Sequence, residues 1–199
     1  ALRFYLLSSP AVRGESLNFS GKGADDVHKK VIMRLKNVLA FYKMYDSDKS
    51  QITNHKSQTK NVLDKWISAR MNELVYKITE AMNNYEIDKA VRPIDEFIDD
   101  LSTWHVRRSR ERLKEEGEAK KEAMSALRYV LIDLSRLIAP FTPFLAEEIY
   151  QALKDERMKE SAHLENWPKK ELRIKNYELR IIKEMAEVRK ICSLGLEAR

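Results

Sequence analysis

Cysteine is almost absent from this chain. Cys192 stands alone among 199 residues, so no internal disulfide can staple the fold, and the 4 scattered histidines have no zinc-ligand spacing. A reducing compartment is the resulting expectation. Glycine and proline are also scarce, 5 of each, and so few breaks put a sheet-and-turn architecture at a disadvantage. No run of 18 apolar residues occurs, and Ala1 is followed by neither a basic stretch nor an apolar core. Membrane insertion and secretion are therefore not expected. Asn18-Phe19-Ser20 fits a glycosylation acceptor, but without an export signal it reads as chance.

What the chain does have is 43% hydrophobic and 34% charged residues, a composition suited to long helices around a real core rather than to disorder. Its net charge of +6 is compatible with a polyanionic partner, with weight only where the positive charge is clustered.

The apolar spacing is helical almost throughout. Leu2, Phe4, Leu6 and Leu7 open the chain as the tail of some larger unit, and Ser8-Ser9-Pro10 through Gly23 reads as a loop. From Ala24, Val27, Val31, Met33, Leu35, Val38, Leu39 and Tyr42 mark one side of a helix, with Asp25 and Asp26 favouring its N-terminus. Asp46 to Asn61 reads as a polar, flexible connection. Leu63, Trp66, Ile67, Leu74, Val75, Ile78 and Met82 then recur at steps of three and four, the clearest stripe in the chain. Another stripe runs from Ile87 to Trp104, with Pro93 early in it or at a kink. After Gly117 come a helix ending at Pro140, a shorter one carrying Phe144, Leu145, Ile149, Tyr150 and Leu153, and a last one from about Lys175, lined by Ile181, Met185, Val188 and Cys192. The expected fold is all-α, an antiparallel bundle of four to five long helices. Its expected division is a linker side at 1–23, the bundle at 24–174 and an outgoing helix at 175–199.

One segment suggests chemistry. Trp104-His105-Val106-Arg107-Arg108-Ser109-Arg110-Glu111-Arg112 concentrates four arginines beside an aromatic ring. Guanidinium forks suit phosphate oxygens, and a flat indole can stack on an unpaired base. Helical spacing places Arg107, Arg110 and Lys114 on one side, and Arg108 and Arg112 on the neighbouring row. The opposing interpretation is a solvated, charge-laced face, with Glu111, Glu115, Glu116 and Glu118 pairing the arginines. Trp66 reads as a core residue and Trp104 as a residue at the edge of its stripe. No catalytic constellation is visible. Glu147 and Glu148 are adjacent and cannot face each other on a helix. Gly21-Lys22-Gly23 lacks both the spacing and the following Ser or Thr of a phosphate loop.

Several longer runs resemble the isoleucyl-tRNA synthetases of class I. Ala1 to Pro10 through Val12-Arg13-Gly14-Glu15 and Asn18-Phe19-Ser20 resembles the segment after that family's catalytic signature loop, and Val62 to Leu74 resembles the opening of its anticodon-binding bundle. Leu101 to Arg110 is similar to its Trp-Tyr-Val-Arg-Arg-Ser-Arg stretch, with His105 in place of Tyr. Leu137 to Tyr150 and His163 to Pro168 complete the order. Leu113-Lys114 departs from a more usual aromatic pair. The catalytic domain with its two signature motifs and the editing domain have no counterpart here.

The resemblance implies a cytoplasmic module that receives the anticodon stem-loop of tRNA(Ile), with no catalytic, metal or cofactor site of its own. ATP with Mg would be used by the catalytic domain of the parent ligase. On the resemblance, Arg107, Arg108 and Arg110 contact phosphates, Trp104 supports or stacks on a loop base, and Lys65 and Arg70 are secondary contacts. Further partners would be the catalytic and C-terminal domains of the same enzyme, and neither DNA nor membrane. The alternative is a structural or protein-interaction bundle, and the distinguishing feature is whether the arginines are free or neutralised by glutamates within the chain.

Overall fold

Helix follows helix in the computed structural model, which describes residues 1–46, 59–168 and 175–198. The order is α1 (Leu2–Leu7), α2 (Gly21–Val27), a π-helical segment (His28–Met33), α3 (Arg34–Tyr45), α4 (Val62–Asn83) and α5 (Ile87–Asp99). A second π-helical segment (Asp100–Val106), α6 (Arg107–Lys114), α7 (Glu118–Ile138), α8 (Pro143–Leu153) and α9 (Asn176–Glu197) follow. No strand occurs among the described residues, and the all-α expectation holds. Most of the polar connection expected between Asp46 and Asn61 lies outside the described residues.

Local chemistry sets several helix ends. Ser20 Oγ accepts from the Gly23 amide at 3.4 Å, so α2 begins at Gly21, three residues before the start expected from the apolar pattern. Asn61 Oδ1 accepts from the Leu63 amide at 2.9 Å and caps α4. Gly117, at φ +125, enters α7 through backbone that a side chain rarely adopts. Pro93 lies inside α5 rather than in its first turn. α2, the first π segment and α3 run on without a break, as do α5, the second π segment and α6.

α4 is the central element, packed on α5, α7 and α9, while α7 also packs on α3, α6 and α8. Its expected stripe is buried at Trp66, Ile67, Leu74, Val75 and Ile78, with Trp66 1% exposed. The single core cluster extends through Ile94, Phe97, Leu101, Leu127, Leu131, Leu134 and Ile149. Burial on this scale is the main source of stability in a helical bundle. Apolar residues at the margins depart from expectation: Phe144 is 90% exposed on the first turn of α8, and Met33 and Val188 are also exposed. Phe144 stands in the first turn of α8 and Val188 far along α9, where among the described residues no neighbouring helix covers them. Among the described residues, no helix is long and apolar enough to cross a membrane.

Candidate nucleic-acid interface

The second π segment decides how the basic cluster is presented. Its widened turn places the buried pairs Asp100–Leu101 and His105–Val106 five residues apart, after which the buried face continues at Ser109 and Leu113. Such turns often occur where a helix serves a function. Arg107, Arg108 and Arg110 fall between the buried positions and are exposed. Among the described residues none of the three has a carboxylate partner. Arg108 instead lies over the Trp104 ring, its guanidinium carbon 4.2 Å from the ring centre. Arg110 lies 5.9 Å from the centre of Phe41 on α3.

The remaining arginine of the cluster turns inward. Arg112 donates to both oxygens of Asp64, at 2.8 and 2.6 Å, and to Ser109 Oγ at 3.2 Å. Asp64 is fully buried in the first turn of α4 and also meets His105 Nε2 at 2.9 Å and the Thr59 hydroxyl at 3.1 Å. Burial by itself would raise the Asp64 carboxyl. The hydrogen bonds from His105 and Arg112, and the charge beside them, outweigh that and hold it at about 2. His105 is thus a buried structural residue here, consistent with its departure from the aromatic of the related stretch.

Arg70 takes a different course from the one expected of it. Its side chain is only 11% exposed and lies against three carboxylates: Asp100, whose Oδ2 accepts from Nε at 2.8 Å, Glu96 at 3.0 Å, and Glu73. Packing against α5 and the π segment draws this guanidinium inside, and it offers no free donor fork to a phosphate. Lys65 is exposed beside Asp64 on α4 and, among the described residues, has no carboxylate partner.

A residue outside the expected set completes the arrangement. Arg189 of α9 donates to Asp100, lies 3.9 Å from Asp99, and places its guanidinium carbon 5.2 Å from the Trp104 ring centre. Asp99 is held from the other side by Arg34 at 2.6 Å. The signal for Arg189 was present in the sequence: it follows Met185 by four residues and precedes Cys192 by three, which puts a charge on the packed face of α9. Asp64 and Asp100 stand at the same kind of position, three residues from Ile67 and Phe97. Buried charges on apolar stripes require partners.

Among the described residues, the glutamates that the opposing interpretation would pair with the cluster, Glu111, Glu115, Glu116 and Glu118, make no ion pair with its arginines. Glu111 pairs with Lys114 at 2.8 Å. Nor is there a phosphate cradle at Gly21-Lys22-Gly23. It forms the capped start of α2, with the Tyr5 ring packed so closely on Gly23 that an added Cβ would stand 2.6 Å away. Among the described residues, no group of three or more His, Cys, Asp or Glu is placed to hold a metal ion.

Comparison with known proteins is consistent with this geometry. An isoleucine–tRNA ligase of Chlamydia trachomatis serovar D is 40% identical over the whole of this chain, which spans 19% of that relative. Those of Chlamydia caviae and Chlamydia pneumoniae are 37% and 39% identical, again over 100% of this chain and 19% of theirs. The chain thus spans about a fifth of the length of these curated relatives. Among solved structures, the ternary LeuRS-tRNA-LeuAMS complex of Agrobacterium radiobacter K84 shares the fold, with a TM-score of 0.56 and 20% identity over 91% of this chain and 20% of that one. The family described as the anticodon-binding domain of tRNA ligase matches residues 64–199, which include all but the first two residues of α4 and the whole basic cluster. On that match the chain belongs to the anticodon-binding domain family of tRNA ligases.

Proposed function

We propose that this chain binds the anticodon arm of tRNA(Ile) and positions it for ATP-dependent aminoacylation by the remainder of an isoleucine–tRNA ligase. The observation that carries the proposal is the sorting of the guanidinium groups. Arg70, Arg112 and Arg189 are neutralised by buried aspartates, while Arg107, Arg108 and Arg110 remain exposed without a carboxylate among the described residues. An uncompensated row of three arginines next to a half-buried Trp104 is the arrangement that a phosphate backbone with splayed bases would engage. Lys65 extends the positive surface, and Arg70 serves the internal network. Basic groups here would fix the arm, and the acceptor end would reach a catalytic domain elsewhere in the ligase, where ATP and Mg would act. The division at residues 1–23, 24–174 and 175–199, contacts with the catalytic and C-terminal domains, and a cytoplasmic setting belong to the same proposal.

The test is fluorescence anisotropy of this chain with a tRNA(Ile) anticodon stem-loop and a scrambled-loop control over a salt series. Tighter cognate binding with a steep salt dependence is expected. Equal, weak binding to both RNAs would overturn base recognition by this bundle.

One observation favours protein docking as a second role. Val188, Ile191 and Leu194 of α9 recur at steps of three and are all exposed, an apolar strip of the kind that another domain covers. That role is compatible with RNA binding by the arginine row.

A further inference from the structure

Trp104 does not offer solvent a bare indole. It is partly buried against the core cluster, and two guanidinium groups stand at its ring, Arg108 at 4.2 Å and Arg189 at 5.2 Å. Arg189 is fixed from within by Asp100 and Asp99. Arg108 is not fixed in this way. It is exposed, lacks a carboxylate partner among the described residues, and follows Trp104 by four residues on the same helical row. Its guanidinium carbon stands over the indole while the side chain remains exposed to solvent. Neither neighbour is supported like this: Arg110 is 5.9 Å from its nearest ring centre, and Arg107 has no ring contact among the described residues. Of the two guanidinium groups at the Trp104 ring, Arg108 is the nearer and the one without a carboxylate partner among the described residues. Guanidinium planes stack on nucleobases, and one already held against a ring loses less freedom in doing so.

We propose that Arg108, laid on Trp104, is the stacking platform for one unpaired base of the RNA loop, that Arg107 and Arg110 take the flanking phosphates, and that Trp104 is a positioning residue holding the Arg108 plane. This rests on the anticodon-arm reading above. It assigns different chemistry to adjacent arginines: the contact at Arg108 needs a flat face, whereas a phosphate contact needs only positive charge.

Arg→Lys substitution separates the two, because lysine keeps the charge and loses the plane. Arg108→Lys is expected to weaken stem-loop binding by roughly five- to a hundredfold, the range for losing one base-stacking side chain, with the salt slope unchanged. Arg107→Lys is expected to stay within about threefold of the parent chain, since lysine serves a phosphate as a point charge. Abasic substitution at each loop position then locates the base. At one position the loss caused by Arg108→Lys should disappear, and at the others it should persist in full. Trp104→Leu should give a loss erased at that same position. Overturning results are binding by Arg108→Lys equal to that of the parent chain, or a loss that persists at every abasic position. A Trp104→Leu loss that persists at every position would overturn its positioning role. If the parent chain fails to prefer the stem-loop to its scrambled control, base recognition fails first and this assignment fails with it.

Discussion

Arg112 and Asp64 lie 48 residues apart in sequence and meet through two hydrogen bonds of 2.8 and 2.6 Å. This contact ties the end of the basic segment to the first turn of α4. It also removes one guanidinium from the surface, leaving its neighbours to face solvent.

Two sets of arginine substitutions should behave in opposite ways. Arg107→Ala with Arg108→Ala should leave thermal stability nearly unchanged, because both side chains are exposed. In a salt titration of RNA binding the pair should lower the slope by about 0.7 to 0.9 per lost phosphate contact. Arg70→Ala should cost about 3 kcal/mol or more in a urea titration, since it strands the buried Asp100 carboxylate with one partner fewer. An unchanged salt slope in the double variant would remove Arg107 from the phosphate contacts.

The Asp64 contacts should make stability depend on pH in acid. The carboxyl lies at about 2 in the fold against an ordinary 3.8, so the unfolded chain takes up the proton first as pH falls. Its contribution is complete above the unfolded value and is lost as pH falls toward the folded one. The loss should be on the order of 2 kcal/mol between about pH 5 and pH 2. Urea midpoints across that range check it. Asp64→Asn should be less stable at pH 7 and should show a flatter acid profile. Parallel profiles for the two proteins would refute the assignment.

Backbone conformation gives a paired prediction. Tyr85 has φ +58 in the turn between α4 and α5 and is 91% exposed, so it bears a left-handed conformation with little packing in return. Tyr85→Asn should raise stability by up to about 1 kcal/mol. Gly117→Ala should lower it by about 1 to 3 kcal/mol through backbone strain alone, since nothing lies within 4 Å of the added Cβ. Calorimetric midpoints of the two variants should therefore move in opposite directions.

Arg189 should govern how firmly α9 is seated. Arg189→Ala removes the contacts to Asp99 and Asp100 and should speed amide hydrogen exchange in residues 176–197 well before the rest of the bundle. Arg180→Ala, whose pair with Glu184 lies on the exposed side of the same helix, should leave exchange within about twofold. Equal protection in both variants would mean that the Arg189 contacts do not seat α9.

Much of the fold was legible in apolar spacing, because a three-to-four step identifies a helical face without reference to its partner. Trp66, Ile67, Leu74, Val75 and Ile78 are buried as their spacing requires. Spacing was less informative at Phe144 and Val188, where a position facing the right way has no neighbouring element to cover it. The two π segments were not legible either, since a widened turn depends on what the helix packs against.

The sequence alone determined that the chain is helical, that it lacks internal disulfides, and that arginines concentrate between Arg107 and Arg112. Its quoted runs also identified the family. Tertiary structure alone decided which arginines are available. The buried aspartates that pair with Arg70, Arg112 and Arg189 lie 30, 48 and 89 residues away and are brought into contact only when α4, the second π segment, α6 and α9 pack together. Helical spacing gives the direction in which a side chain points. Whether a charge waits there depends on a neighbouring helix, and here that leaves Arg107, Arg108 and Arg110 facing solvent.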